Sequence, residues 1–341
     1  MLAAAASAQK AAPNVGKPAD LSAINRRGIE AHLSFLASDA LEGRQAGQRG
    51  GRVAAEYIKA VLSEAGISPF YDSYLQPFEA YSPAREKGKE FQVQPDSVAR
   101  YKQARYHRRL PLQNVIGYIE GQRKDEYVLI GAHYDHLGVD PLLVGDQIYN
   151  GADDNAASVA VVLQVAKAIA AAGKKPLRSI IFALWDGEEV NYLGSEYFAA
   201  SFAPPAAAIK AYINLDMVGR EGALPTFYPK FVLPPEASQP FAHDSKVYVL
   251  HSDSLARFAR RLPDEIAAQK LNLTPQYGLI IPASHGSDDL SFTQRGIPAL
   301  WFFTGLHPDY HTPADDLSGI NWDKLVGIAR LTQFSLWELA N

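Results

Sequence analysis

Cysteine is absent from the 341 residues, and methionine occurs only 2 times. The missing thiols exclude disulfide staples, thiolate nucleophiles and cysteine-based zinc sites together. They leave the compartment open, because a chain this long buries a large core without covalent help. Charge of one sign is also lacking: 33 basic against 37 acidic residues leave a net charge of −4. With a pI of ≈ 6.1, the chain offers no general cationic face to nucleic acid or an anionic bilayer. Long hydrophobic runs are missing as well. The longest, 156–173, is interrupted by Gln164 and Lys167 and is short for a membrane span. A GxSxG nucleophile elbow is not found, which argues against serine-triad chemistry, and no internal repeat is visible. What remains is an ordinary globular composition, 47% hydrophobic and 21% charged.

The chain opens on MLAAAASAQKAAP, alanine-rich, with a small-residue ASA pattern and no charge before Lys10. Residues 1–20 are therefore expected to be the remnant of an export signal, placing the protein in the periplasm or outside the cell. A disordered leader is the alternative. Residues 21–341 are expected to form one domain.

Hydrophobic spacing predicts helices over 21–38 and 49–65, the second carrying a Val53, Tyr57, Val61 stripe and stopping at Gly66. Strands are expected at 113–119, 126–133, 179–185, 211–217, 246–251 and 298–304. Between them lie helices at 156–172, 194–202 and 253–270, and a last one over 322–339 with Asn321 as N-cap. Several strands are continuous apolar runs, as befits strands covered on both faces. The alternation implies an α/β fold with a mixed, mainly parallel sheet between helices. In such sheets ligands gather beyond the carboxyl ends of the strands. Two stretches break the pattern. Residues 81–110 read as a polar surface excursion or a basic docking patch, with Arg100, Lys102, Arg105, Arg108 and Arg109 close together. Residues 221–244 hold five prolines beside Phe227, Tyr228, Phe231 and Phe241, and read as a pocket wall or as surface packing.

Four segments end expected strands with metal-binding side chains, and a fifth lies in a loop near the C-terminus. They are GAHYDHLG at 131–138, YNGADDNAAS at 149–158, LWDGEEVNYLGSE at 184–196, INLDMVGR at 213–220 and DYHTPADD at 309–316. Together they supply His133, Asp154, Glu188, Glu189, Asp216 and His311. Imidazoles with carboxylates suit zinc. The set is too rich for one ion and fits two that share a carboxylate, which points to a metal-dependent hydrolase. Asp216 closes an apolar strand, where an unpaired carboxylate is costly and a cation resolves the cost. Strand alternation turns 133 and 135 the same way and 136 the other, so His136 is expected behind the ligands or in the pocket wall, with ligation as the alternative. His307 is a competitor to His311.

In order and wording these segments resemble the M28 family of zinc peptidases, the bacterial aminopeptidases with a two-zinc centre. The likeness covers about 113–340, and 21–66 read like the N-terminal helices of longer bacterial members. It implies a mixed, mainly parallel sheet of about eight strands between helices, as in the zinc aminopeptidase and phosphorylase/hydrolase-like folds. It also implies hydrolysis of N-terminal amino acids from peptides through a metal-bridging water activated by Glu188. By the same resemblance, His133 and Asp216 hold one Zn2+, Glu189 and His311 the other, and Asp154 both. Mn2+ or Co2+ are possible substitutes. Asp135 is expected behind His133, orienting its ring, and Asp153 to be structural. A cis peptide between Asp154 and Asn155 is implied as well. Tyr310 matches a tyrosine that donates to the developing oxyanion, with a packed aromatic as the alternative.

The chain departs from the family pattern at Ser287–Asp288–Asp289, where many relatives carry Ser-Asp-His. Asp289 either favours a basic substrate side chain or forms a salt bridge. Three other functions stay open: a carboxypeptidase or dipeptidase, a glutaminyl cyclase-like transferase, and a non-catalytic binding module. The expected partner is a peptide, with neither nucleic acid nor a membrane span involved.

Overall fold

The computed structural model describes residues 20–84, 91–224, 245–280 and 286–341. The leader, apart from residue 20, and the aromatic-rich part of the 221–244 stretch lie outside these residues. The chain begins with a short turn at Leu21–Ala23, then α1 (Arg26–Leu36) and α2 (Arg49–Glu64). The expected helix over 21–38 is thus divided. Ile24 is extended, and the Asn25 side chain starts a fresh helix by accepting from the Gly28 N–H at 3.1 Å.

Next come β1 (Ser68–Pro69), β2 (Leu75–Pro83), α3 (Pro95–Gln103), β3 (His107–Ile119) and β4 (Arg123–His133). β2 and β3 pair antiparallel from Leu75 opposite Val115 to Pro83 opposite His107. The polar excursion at 81–110 is therefore largely the end of a long hairpin, with α3 set across it. Its basic side chains lie on that surface. Arg109 Nη1 reaches Glu79 Oε1 at 3.1 Å, and the Lys102 ammonium sits 4.5 Å over the Tyr81 ring.

A small ribbon of β5 (Gly138–Val139) and β6 (Ile148–Tyr149) precedes α4 (Ser158–Ala171). Then follow β7 (Arg178–Trp185), α5 (Leu193–Ser201), β8 (Ile209–Leu215), β9 (Lys246–His251), α6 (Ala256–Ala259), α7 (Leu262–Ala268) and β10 (Thr274–Leu279). The expected single helix over 253–270 breaks before α7, where Pro263 lacks the N–H needed to continue an earlier turn. The chain closes with α8 (Asp289–Thr293), β11 (Ala299–Phe303) and α9 (Trp322–Ala340). Asn321 caps α9 as expected, accepting from the Lys324 N–H at 3.1 Å.

The main sheet runs β1-β3-β7-β4-β8-β11-β9-β10, with β2 also on β3, nine strands among the described residues. Its centre, β7-β4-β8-β11, is parallel; β3 and β9 join it antiparallel. One face packs against α1, α2, α4 and α9 around Ile130, Phe182 and Trp337. The other carries an aromatic layer of Trp185, Phe198, Tyr212 and Phe292 under α5 and α8. Among the described residues one helical stretch, Ala152–Ala171, is long and apolar enough to cross a membrane. Of its apolar window, 83% is buried inside the protein.

Candidate metal centre

Three parallel neighbours, β7, β4 and β8, bring their carboxyl ends side by side. His133 is the last residue of β4 and Asp216 follows the last residue of β8. Glu188 and Glu189 come just past β7, after a turn at Gly187 whose φ of 77° favours glycine. Asp154 enters from the wide helical turn at Ala152–Ala157 ahead of α4, where the Asp154–Asn155 peptide is cis as the resemblance implied. His311 arrives from the loop between β11 and α9.

Asp154 stands in the middle. Its Oδ1 is 3.4 Å from His133 Nε2, and its Oδ2 is 3.1 Å from His311 Nε2. On the first side Asp216 Oδ1 lies 3.6 Å from the same His133 nitrogen. On the second, Glu189 Oε2 lies 3.2 Å from His311 Nε2. These spacings exceed the ~2.7–2.9 Å of charge-assisted hydrogen bonds. They suit two ligand atoms on one tetrahedral ion, whose ~2.0–2.1 Å bonds set ligand atoms ~3.3–3.4 Å apart. Asp216 Oδ1 and His311 Nε2 are buried with no hydrogen-bond partner. Orphaned polar atoms at the focus of two imidazoles and several carboxylates are the signature of a cation site. The residues present therefore fit zinc. Glu188 Oε2 stands farther off, 3.9 Å from His133 Nε2. Two three-residue groups close enough to chelate overlap at His133: one adds Asp154 and Glu189, the other Glu188 and Asp216.

The electrostatics are those of an anionic nest. Burial, with Asp216, Glu189 and Asp288 nearby, pushes the Glu188 carboxyl well above its usual range, against the pull of His133. Burial alone would lower His133, yet Glu188, Asp154 and Asp216 carry it well above the ordinary imidazole value. His311 behaves alike: burial opposes, but Asp154 and Glu189 raise it to about 10. Asp154 resists its own burial because His133, His136 and His311 surround it, and it falls well below the carboxylate range. The positive charge these imidazoles gather is the charge that a dication would supply in their place.

The supporting contacts differ in part from the expectation. Asp135 was expected to hold His133 through its carboxylate. Instead the Asp135 carbonyl lies 3.1 Å from His133 Nδ1, and the carboxylate stands at 3.7 Å. The Asp135 oxygens accept from the Glu188 and Glu189 N–H groups at 3.0 and 3.3 Å, fixing the glutamate turn. His136 does not face away, because β4 ends at His133 and alternation stops there. Its Nδ1 is 2.7 Å from Glu189 Oε1, on the oxygen opposite the one facing His311. Asp153 is structural as expected: its Oδ1 accepts from the Gly219 N–H at 2.6 Å. His307 lies behind it, 3.4 Å from Asp153 Oδ2, apart from the metal-binding groups.

Sequence reading passed over Asp315, which is fully buried and accepts from the Asp153 and Asp154 N–H groups at 3.1 and 3.0 Å. A signal for it was present, since TPADD places two acids just past His311. Tyr310 stacks on His311 with ring centroids 3.8 Å apart. Burial and the surrounding carboxylates drive its phenol upward, so it keeps its proton. Asp289 is buried and turns back to accept from the Ser287 N–H at 3.1 Å. Burial pushes its carboxyl up to about 7, and among the described residues no cation pairs with it.

Residues 114–334 match the profile of Peptidase family M28. Leupeptin-inactivating enzyme 1 of Streptomyces exfoliatus is 27% identical over 220 residues, covering 63% of this chain and 40% of that protein. A probable glutamate carboxypeptidase of Arthroderma benhamiae is 35% identical over 112 residues, 31% of this chain and 14% of its own length. The chain thus spans well under half of these curated relatives. The aminopeptidase of Aneurinibacillus sp. strain AM-1 superposes with a TM-score of 0.67 at 18% identity, over 94% of this chain and 95% of its own. Porphyromonas gingivalis glutaminyl cyclase gives 0.64 at 20% identity, over 94% and 99%. At such identities the likeness shows the fold alone.

Proposed function

The chain belongs to peptidase family M28, and from that premise we propose that it is a two-zinc exopeptidase that removes N-terminal amino acids from peptides. The observation that supports the two-ion centre is the spacing around Asp154, whose two oxygens face His133 and His311 at 3.4 and 3.1 Å; the amino-end preference rests on the resemblance of the motifs to the bacterial aminopeptidases of the family. In this assignment His133, Asp154 and Asp216 hold one ion, and Asp154, Glu189 and His311 the other. When bound, the zinc pair supplies the Lewis acidity that makes a water proton labile near neutral pH. Glu188 then acts through its carboxylate, taking that proton and returning it to the leaving amine. Asp135 holds the Glu188 backbone in place for this. Tyr310, kept protonated, donates to the oxyanion of the tetrahedral intermediate. Tyr310→Phe should therefore lower kcat by about 100-fold with KM little changed. Equal kinetics in parent and variant would leave Tyr310 as packing for His311.

A second reading, cleavage at the carboxyl end, has support in the Arthroderma relative. The metal ligands do not separate the two, because both need the same water-activating centre. A panel of amino-acid p-nitroanilides and their N-acetylated counterparts does, assayed with chelator and with zinc restored. The aminopeptidase reading expects zinc-restored cleavage of free-amine substrates alone. Cleavage of neither set by protein holding zinc, together with release of C-terminal residues from peptides, would overturn it in favour of the second reading.

A further inference from the structure

Arg44 precedes the family match at 114–334, yet its side chain lies behind the metal cluster, 1% exposed. Among the described residues its guanidinium donates only to backbone carbonyls. Nε gives to Tyr134 at 2.8 Å, Nη1 to Leu36 at 2.5 Å and Asn150 at 2.6 Å, and Nη2 to Gly151 at 3.0 Å. Tyr134 follows His133, and Asn150 and Gly151 lead into the turn that carries Asp154. One planar fork thus joins the two loops that aim the facing ligands.

The rest of the 37–46 segment presses the same way. The Arg44 carbonyl accepts from the His136 N–H at 3.3 Å. Asn150 Nδ2 donates to the Ala37 carbonyl and to Asp39 Oδ1, both at 2.8 Å. Gly43, at a φ of 62°, packs where a Cβ would collide with the Gly138 and Tyr149 carbonyls. A buried cation is expensive, and here its cost is met by carbonyl dipoles rather than a paired carboxylate. Several acids of the centre, Asp154, Asp135 and Glu189 among them, feel its charge from farther away.

We propose that Arg44 is a positioning residue for the metal centre: its guanidinium sets the spacing between the loop after β4 and the loop before α4, and so between His133 and Asp154. This rests on the zinc-site reading above. Lysine keeps the charge but places its three donors on one nitrogen in place of a rigid fork, so it cannot serve all four carbonyls at once.

The test compares zinc affinity, measured by competition against a chromogenic chelator, in the parent, Arg44→Lys and a control. The control is Arg330→Gln, which removes donors to the Ile24 carbonyl at 3.2 and 3.0 Å, a tie of the same N-terminal segment. Melting in excess chelator reports stability without metal. Arg44→Lys should bind zinc about 10–100-fold more weakly, and at saturating zinc should lose kcat more than KM. The control should lose stability but keep parental zinc affinity. Arg44→Gln, whose single amide cannot span the carbonyls of both loops, should weaken zinc in the same direction and serves if Arg44→Lys does not fold. Parental zinc affinity in folded Arg44→Lys or Arg44→Gln would overturn the positioning role while leaving the zinc site intact. A parent that binds no zinc would instead overturn the metal reading, and this inference with it.

Discussion

Replacing Glu188 with glutamine is expected to lower kcat by about 10²–10⁴-fold while zinc content and melting temperature stay at parental values. Glutamine keeps the shape and the backbone N–H bond to Asp135 Oδ1 at 3.0 Å, but its amide cannot take a proton from water. Burial and the acidic neighbours Asp216, Glu189 and Asp288 work against the charged form of Glu188, so a neutral side chain relieves repulsion rather than creating it. The alternative role is ligation. Glu188 belongs with His133 and Asp216 to one of the two groups close enough to chelate, although its oxygen stands at 3.9 Å rather than the 3.1–3.6 Å of the other pairs. Zinc analysis separates the two. Full zinc with a collapsed kcat marks a base; one ion lost along with activity marks a ligand and would sink the proposed role. Because kcat and kcat/KM should fall together, the loss is in the transition state and not in substrate binding.

The carboxyl-end cluster was legible in part because His133, Asp216 and the glutamate pair sit at or just past the ends of hydrophobic runs, and such runs are what periodicity reads best. His133 closes β4, Asp216 follows β8, and Glu188 follows β7, so the expected strands deliver them to one edge. The order of strands across the sheet is long-range, and no local pattern announces that β7 and β8 flank β4. The same limit explains why His136 supports Glu189 rather than pointing away. Alternation is a property of a strand, and the reading carried it three residues beyond the point where β4 stops. Arg44 was passed over for a related reason. In sequence it is one charged residue in a polar turn, and only the approach of loops 90 and more residues away surrounds it with carbonyls. The hairpin at 75–119 was under-read because charge hid the strand: β3 opens with exposed His107, Arg108 and Arg109. That end of β3 runs past β7 and, among the described residues, pairs with β2 alone, so it tolerates such residues on its open side.

Asp154→Asn and Asp216→Asn should part company in how many ions they lose, and this contrast tests the two-ion centre most directly. An amide offers one good ligand oxygen without charge, so it cannot bridge two cations as a carboxylate does. Asp154 faces both imidazoles, His133 at 3.4 Å and His311 at 3.1 Å. Asp216 faces His133 alone, at 3.6 Å. The bridging variant should therefore lose both ions, with zinc affinity falling by more than the ~10–100-fold typical of an outer partner. The Asp216 variant should keep the ion held by Asp154, Glu189 and His311, and activity should fall in both. Stability in chelator guards against a trivial cause. Asp154 is held well below its usual range by three histidines despite its burial, so its carboxylate also stabilises the fold at neutral pH, and Asp154→Asn should melt earlier than Asp216→Asn. Zinc titration of refolded protein, followed by metal analysis after desalting, gives the stoichiometry. Equal ion loss in the two variants, or a parent saturating at a single ion, would replace the shared-carboxylate centre with a single-ion site.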